Sequence, residues 1–145
     1  MPFVDEKNAR AGDYQKTIKK ILLTNKCPFC KENFKYHKNP ILKKKASWFI
    51  TENSWPYKGT RFHFIILNHL HRVKLSELAT KDYQAIISLC QWAINTYKIK
   101  GGALTMRFGD TKMTGSSVSH IHAHLIVPKI DRKTKKAVLV NFPIG

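Results

Sequence analysis

Cysteine, acidic side chains and long apolar runs are all scarce in this sequence. Three cysteines in 145 residues are too few for the disulfide framework on which small secreted domains depend. No segment approaches the roughly 20 uncharged apolar residues that cross a bilayer. The first ten residues hold two acidic and two basic side chains, a pattern unlike a signal peptide. We therefore expect a cytoplasmic protein that does not enter a membrane.

The charge is strongly one-sided, with 9 acidic against 26 basic residues and a formal net charge of +17. Such a charge attracts nucleic acids and polyphosphates alike. Because 21 of the basic residues are lysines scattered along the chain, a nucleic-acid partner is possible but not favoured. An apolar content of 43% is enough for one folded domain with a core, spanning residues 1–145.

Three histidines alternate with apolar residues in the stretch from His120 to Val127. In a strand, a period of two puts His120, His122 and His124 on one face, with neighbours about 7 Å apart. Burying three imidazoles side by side without partners would be costly. The alternation therefore predicts a metal site or a site for an anionic substrate, where histidine supplies a ligand, a nucleophile or a proton donor.

This His-apolar-His-apolar-His-apolar-apolar pattern, preceded by Gly-Ser-Ser-Val-Ser at 115–119, resembles the signature of the histidine-triad (HIT) superfamily of nucleotide hydrolases and transferases. The resemblance implies that His122 is the nucleophile and that His124 contacts the phosphate oxygens. It also implies that Ser117 donates to the bridging or leaving oxygen. Ser116 stands where many members carry glutamine, so the resemblance places it at the nucleotide as a shorter substitute.

The segment Asn53-Ser54-Trp55-Pro56-Tyr57-Lys58-Gly59 resembles a stretch of dinucleoside-polyphosphate phosphorylases and related HIT enzymes. The resemblance implies that Asn53 hydrogen-bonds the ribose hydroxyls, whereas the residues alone equally suit a turn asparagine that satisfies its own loop. The histidine that follows this glycine in the family is displaced here to His63. Arg107 precedes the histidine row and either contacts phosphate or pairs with Asp110.

Cys27-Pro-Phe-Cys30 suggests a metal knuckle, and zinc would need two further nitrogen or sulfur ligands. The resemblance to one HIT branch supplies them as His71, after the second core strand, and His120. His69, two residues earlier, is the competitor for the third position. Four protein ligands leave no open coordination position, so the expected Zn²⁺ is structural.

Hydrophobic spacing and turn signals divide the chain into elements. They predict a helical extension (1–26), a HIT core (27–128) and a tail (129–145), in an α+β domain with helices packed on an antiparallel sheet. The expected helices are 13–25 and 81–98, the expected strands are 47–51, 62–67, 103–108, 118–127 and 137–142, and 31–45 and 109–116 are expected to be irregular.

These observations predict a nucleotide hydrolase or nucleotidyltransferase that acts at the α-phosphate of dinucleoside polyphosphates or nucleoside phosphoramidates. The reaction implied by the resemblance passes through a covalent nucleotidyl-His122 intermediate. Two alternatives stay open, namely removal of adenylate from 5′-adenylated DNA or RNA, and nucleotide binding without turnover. HIT proteins often form homodimers, so a homodimer is possible here as well.

Overall fold

A computed structural model describes residues 2–145. The chain forms three helices and five strands, with short 3₁₀ turns between them. The helices are α1 (Asp13–Thr24), α2 (Thr80–Tyr97) and α3 (Thr111–Thr114), and the strands are β1 (Ile41–Lys45), β2 (Trp48–Glu52), β3 (Thr60–Asn68), β4 (Ala103–Met106) and β5 (His122–Pro128).

The five strands make one antiparallel sheet in the order β1-β2-β3-β5-β4. This α+β architecture confirms the predicted fold class. Strand β3 lies between β2 and β5 and is buried over most of its length. Its partner β5 carries His122 opposite Leu67 and His124 opposite Ile65, so the middle of the sheet holds the candidate nucleophile.

Alternation along the central strands separates two faces of the sheet. One face packs on α2 around Trp48, Ile66, Leu89 and Ala123, all nearly inaccessible to solvent. The opposite face carries Phe49, Ile65 and Leu67, with aromatic side chains from the segment after α1 packed against them. His122 and His124 belong to this second face, which the N-terminal segment and the C-terminal tail cover.

A buried ion pair fastens α2 to the turn after β3. Arg72 donates to Oδ2 of Asp82 at 3.0 Å, and Trp48 donates its indole N–H to the same carboxylate at 2.9 Å. Burial opposes the charge on Asp82, but these hydrogen bonds and the guanidinium prevail and lower its pKa. The backbone carbonyl of Arg72 accepts from the amide of Ile121 at 2.7 Å, so the pair also positions the start of the histidine row.

Several predicted element boundaries are wrong. The run 31–45 contains β1, whose mostly exposed lysines give no alternation to detect. Strand β5 begins at His122 and not at Val118, because residues 117–119 pair with residues 3–5 at the N-terminus. The loop 109–116 contains α3, and the tail forms only an isolated bridge between Ile130 and Ala137 in place of a strand.

The helical spacing of apolar residues in 81–98 predicts an apolar face that includes Tyr83, Ile87 and Ile94, and the face of α2 that packs on the sheet differs from it. Asp82 and Leu89 are buried, whereas Tyr83, Ile87 and Ile94 are exposed. The helix therefore presents an apolar stripe to solvent, next to the edge strand β4. Within the described residues 2–145, no helix is both long and apolar enough to cross a membrane.

Candidate active site and metal centre

The hydrogen bond made by His122 sets its tautomer. Its Nδ1 lies 2.7 Å from the carbonyl oxygen of His120, and since a carbonyl only accepts, Nδ1 carries the hydrogen. Burial lowers the pKa of His122 to about 4, so the ring is neutral near pH 7. A neutral ring with hydrogen on Nδ1 keeps a lone pair on Nε2, which has no hydrogen-bond partner within residues 2–145.

A second chain of hydrogen bonds sets the tautomer of His124. The Tyr57 amide donates to Nδ1 of His63 at 3.0 Å, which leaves the hydrogen of that neutral ring on Nε2. This Nε2 lies 2.8 Å from Nδ1 of His124 and donates to it. His124 therefore carries its hydrogen on Nε2, a buried donor with no partner in the described part of the chain.

The two rings thus offer complementary groups side by side, with centroids 4.8 Å apart. His122 presents a lone pair, and His124 presents an N–H. Burial lowers the pKa of His124 well below its usual value, and the neighbouring His122 and His63 lower it further. An electron-poor centre bearing anionic oxygens, such as a phosphoryl group, suits this pair.

The two serines before the histidine row have different partners. The hydroxyl of Ser116 donates to the carbonyl of Val118 at 2.9 Å, so this side chain is already engaged. Ser117 forms a short hydrogen bond with the hydroxyl of Tyr14. Gly115, at φ 71°, ends α3 just before them, and a Cβ there would lie 2.8 Å from a backbone oxygen of the tail.

The four predicted metal ligands, Cys27, Cys30, His71 and His120, lie together, with their ligand atoms within 4.8 Å of one another. Sγ of Cys27 is 3.3 Å from Nδ1 of His120, and Sγ of Cys30 is 3.7 Å from Nδ1 of His71. A tetrahedral zinc ion places its ligand atoms about 3.3–3.8 Å apart. The cluster fits a cation of this size.

The chemistry of the cluster also fits a metal. His120 donates from Nε2 to the carbonyl of Asn68 at 2.6 Å, which leaves its Nδ1 lone pair facing the thiols. Burial raises the pKa of Cys27. Burial and the neighbouring Cys27 raise the pKa of Cys30 to about 12, so two thiolates here call for a cation. His69 lies outside the cluster, with its Nδ1 2.9 Å from the Phe29 carbonyl.

A cavity of about 90 Å³ reaches His122 and His124. Residues from α1, the knuckle, the 53–57 loop, the serine loop and the tail line it. Trp55 contributes a buried indole N–H without a partner among residues 2–145. Arg10, before α1, donates to the carbonyls of Trp55 and Pro56 and thereby joins the N-terminal segment to this loop.

Asn53 lies in this cavity and takes part in its own turn. Its Oδ1 accepts from the Trp55 amide at 2.9 Å, as the turn alternative predicts. Its Nδ2 is 3.3 Å from Nε2 of His63, whose hydrogen goes to His124. The amide hydrogens of Asn53 therefore have no acceptor in that contact and are free for a ligand hydroxyl.

Arg107 also lines the cavity, and its side chain contacts the tail. Its guanidinium donates to the carbonyl of Pro143 at 2.5 and 2.9 Å and lies 4.0 Å from the ring centroid of Phe142. Asp110 instead caps α3 by accepting from the Lys112 amide. The alternative in which Arg107 pairs with Asp110 is therefore wrong, and the contact of Arg107 with phosphate stays a prediction.

No family model matches the sequence, and a search of the curated proteins finds no match. Solved structures do match. One is a HIT family hydrolase from Clostridium thermocellum, with 22% identity, coverage of 73% of this chain and 92% of that one, and a TM-score of 0.53. Another is a histidine triad nucleotide-binding protein from Candida albicans, with 18% identity, coverage of 83% and 85%, and a TM-score of 0.59. The chain has the histidine-triad fold.

A third structure with the histidine-triad fold is a Zn-bound family protein from Mycobacterium smegmatis, with 16% identity, coverage of 76% and 79%, and a TM-score of 0.54. The recognition made from the histidine pattern is thus confirmed at the level of the fold. The sequence analysis did not predict Tyr14 and Arg10, which line the cavity, or Phe142, whose ring packs against His124 with centroids 5.3 Å apart. No local pattern marks them, because each reaches the histidine-triad core from a segment distant in the chain.

Proposed function

We propose that this protein transfers a nucleoside monophosphate through a covalent nucleotidyl-His122 intermediate. The observation that carries the proposal is the hydrogen bond from Nδ1 of His122 to the His120 carbonyl. It holds the hydrogen on Nδ1 and keeps the Nε2 lone pair in the cavity. The substrate class is a dinucleoside polyphosphate or a nucleoside phosphoramidate, and the acceptor is water or phosphate.

In the first step, Nε2 of His122 attacks the α-phosphorus, and the bond from phosphorus to the leaving atom breaks. A leaving oxygen departs as an anion, and a leaving nitrogen takes a proton from solvent and departs as an amine. The ring then carries a positive charge, which the His120 carbonyl stabilises through Nδ1–H. His124 donates from Nε2 to a non-bridging oxygen, and Ser117 donates to the leaving atom. In the second step, the acceptor oxygen attacks phosphorus, the bond from phosphorus to Nε2 breaks, and the proton of the acceptor passes to solvent, so that Nε2 recovers its lone pair.

The metal we propose for the Cys27, Cys30, His71 and His120 cluster is zinc. Four protein ligands complete its coordination, so it would stabilise the knuckle and hold the ring of His120. Ligation by two reduced cysteines favours a reducing compartment, and we propose the cytoplasm.

A homodimer is the assembly we propose. Strand β4 is an edge of the sheet, and Leu104 on it is exposed near the solvent-facing Ile87 and Ile94 of α2. An exposed apolar stripe beside an edge strand suits pairing with a second copy. Sedimentation equilibrium of the wild type should give twice the mass of one chain, and Leu104→Lys should shift it to a monomer. A monomeric wild type would contradict this assembly.

The test of the activity is mass spectrometry of the protein after mixing with dinucleoside polyphosphates and nucleoside phosphoramidates that differ in base. A mass increase by one nucleoside monophosphate, together with released product, is the expected result. Ligand-induced stabilisation with neither adduct nor product would favour a binding module. Turnover of adenylated DNA alone, with a steep salt dependence, would favour the deadenylase alternative.

A further inference from the structure

Tyr14 brings a phenol from α1 to the serine loop. Its hydroxyl is hydrogen-bonded to Oγ of Ser117 across 103 positions in the chain. The ring packs against Trp55 with centroids 5.0 Å apart, and the guanidinium of Arg10 lies 5.4 Å from its centroid. Ring and hydroxyl are therefore both held in place at the wall of the cavity.

The hydrogen bonds of Ser117 leave its hydroxyl hydrogen available for a ligand. Its carbonyl accepts from the Asp5 amide at 2.9 Å, which fixes the backbone of the loop. Its hydroxyl has Tyr14 as its one protein partner within residues 2–145. A phenol is the more acidic of the two hydroxyls and hence the better donor. When Tyr14 donates, the hydrogen of Ser117 is free to point into the cavity that Ser117 lines.

Burial keeps Tyr14 a neutral donor. It raises the pKa of the phenol above its ordinary value, although the bond to Ser117 opposes this shift. The phenol therefore keeps its hydrogen throughout the neutral range.

We propose that Tyr14 is a positioning residue for departure of the leaving group, because its hydroxyl turns the hydrogen of Ser117 toward the leaving atom on the α-phosphorus. The inference rests on the proposed nucleotidyl transfer to His122. No proton passes between Tyr14 and Ser117. As the bond from phosphorus to oxygen breaks, negative charge grows on the leaving oxygen, and the oriented Ser117 hydroxyl stabilises that charge by a hydrogen bond.

The experiment measures the single-turnover rate of adduct formation with a series of aryl esters of adenosine 5′-monophosphate. The phenols in the series span a range of acidity. If another base gives the adduct in mass spectrometry, the esters of that nucleotide are used. Poorer leaving groups develop more charge on oxygen and depend more on the Ser117 hydroxyl. Tyr14→Phe should therefore react like the wild type with the most acidic phenol and on the order of tenfold more slowly with the least acidic one.

Two comparisons isolate the effect. Ser117→Ala should also react more slowly with the least acidic phenols. The Tyr14→Phe/Ser117→Ala double variant should be no slower than Ser117→Ala alone. Tyr97→Phe removes a phenol hydroxyl on the opposite face of the sheet, where the ring packs with Phe62 and Phe64, and should leave every rate unchanged. Thermal unfolding of each variant checks that the fold is retained.

The outcomes separate the two proposals. If the wild type forms no adduct with any ester, the proposed function fails, whatever Tyr14 does. If the wild type forms the adduct but Tyr14→Phe slows all esters by one factor, or none, the positioning role is overturned. Incorporation of 3-fluorotyrosine at position 14 keeps the ring and makes its hydroxyl a stronger donor. Rates with the least acidic phenols should then rise, and a fall would also overturn the proposal.

Discussion

The carbonyl oxygen of His120 accepts a hydrogen bond of 2.7 Å from Nδ1 of His122. The same residue offers the Nδ1 of its own ring to the metal cluster, and its Nε2 donates to Asn68. One residue thus connects the proposed metal site with the tautomer of the proposed nucleophile. A rotation of the His120 backbone would break this hydrogen bond. The ring of His122 could then carry its hydrogen on Nε2, and Nε2 would no longer have the lone pair needed for attack.

Removal of a metal ligand should therefore affect both the fold and the chemistry. Wild-type protein should contain about one zinc per chain, and Cys30→Ser should lose it together with much of the stability. Structural zinc contributes roughly 10–16 kcal/mol in small domains. Cys90→Ala is the matched control, because Cys90 is a buried free thiol on α2 and should keep the metal. Less than a tenth of an equivalent of zinc in unchelated wild type would contradict this prediction.

His122 and His124 are neighbours on one face, yet their substitution should have different effects. His122→Ala removes the attacking lone pair, so labelled adduct should disappear and turnover should fall by at least ~10³-fold. His124→Ala removes a donor to phosphate and should slow the reaction while some adduct still forms. Rapid-quench trapping of labelled nucleotide distinguishes the two. Wild-type adduct levels on His122→Ala would rule out the assignment of the nucleophile.

Asn53 offers a sharper test as Asn53→Asp than as an alanine. The carboxylate still accepts from the Trp55 amide, which keeps the turn, but the free amide donors are lost. Ribose contacts act in both the ground and transition states, so KM should rise while kcat is largely kept. Steady-state kinetics with the best substrate measure this. A hundredfold fall in kcat at unchanged KM would place Asn53 at the reacting centre instead.

The buried His63 predicts a loss of stability in mild acid. Burial and the positive charge of Arg10 lower its pKa to about 3, against about 6.5 in the unfolded chain. Below pH 6.5, His63 is therefore protonated in the unfolded chain but stays neutral in the folded protein. The neutral His63 ring therefore costs no stability above pH 6.5. As the pH falls from 6.5 toward 3, the free energy of unfolding decreases with a slope that approaches about 1.4 kcal/mol per pH unit.

The measurement is urea denaturation of wild type and His63→Gln between pH 7.5 and 5. Zinc release in acid affects both proteins, so the difference between their slopes isolates His63. The free energy of unfolding of the wild type should fall more steeply with acid than that of the variant. Parallel curves would show that His63 titrates normally in the folded state.

Local sequence patterns predicted those parts of the site that lie close together in the chain. The alternation at 120–124 and the Cys27–Cys30 knuckle both lead to groups that the fold brings together. The predicted strand was nevertheless wrong at His120, because residues 117–119 pair with residues 3–5 and β5 begins only at His122. The positions of Tyr14 and Phe142 could not be predicted, since they depend on distant segments that fold over the sheet.

Two arginines that line the cavity contact its other walls. Arg10 binds the 55–56 carbonyls, and Arg107 binds the Pro143 carbonyl. The cavity of about 90 Å³ is smaller than the roughly 300–1,000 Å³ of typical ligand sites, so we expect these contacts to break before a nucleotide enters. If the proposed adduct forms and the contacts re-form around it, we expect them to limit the access of bulk water. The lifetime of the adduct would then follow the opening rate, and Arg10→Ala should shorten that lifetime in a chase experiment. Whether the nucleotide is hydrolysed or transferred would then depend on which acceptor, water or phosphate, enters while the cavity is open.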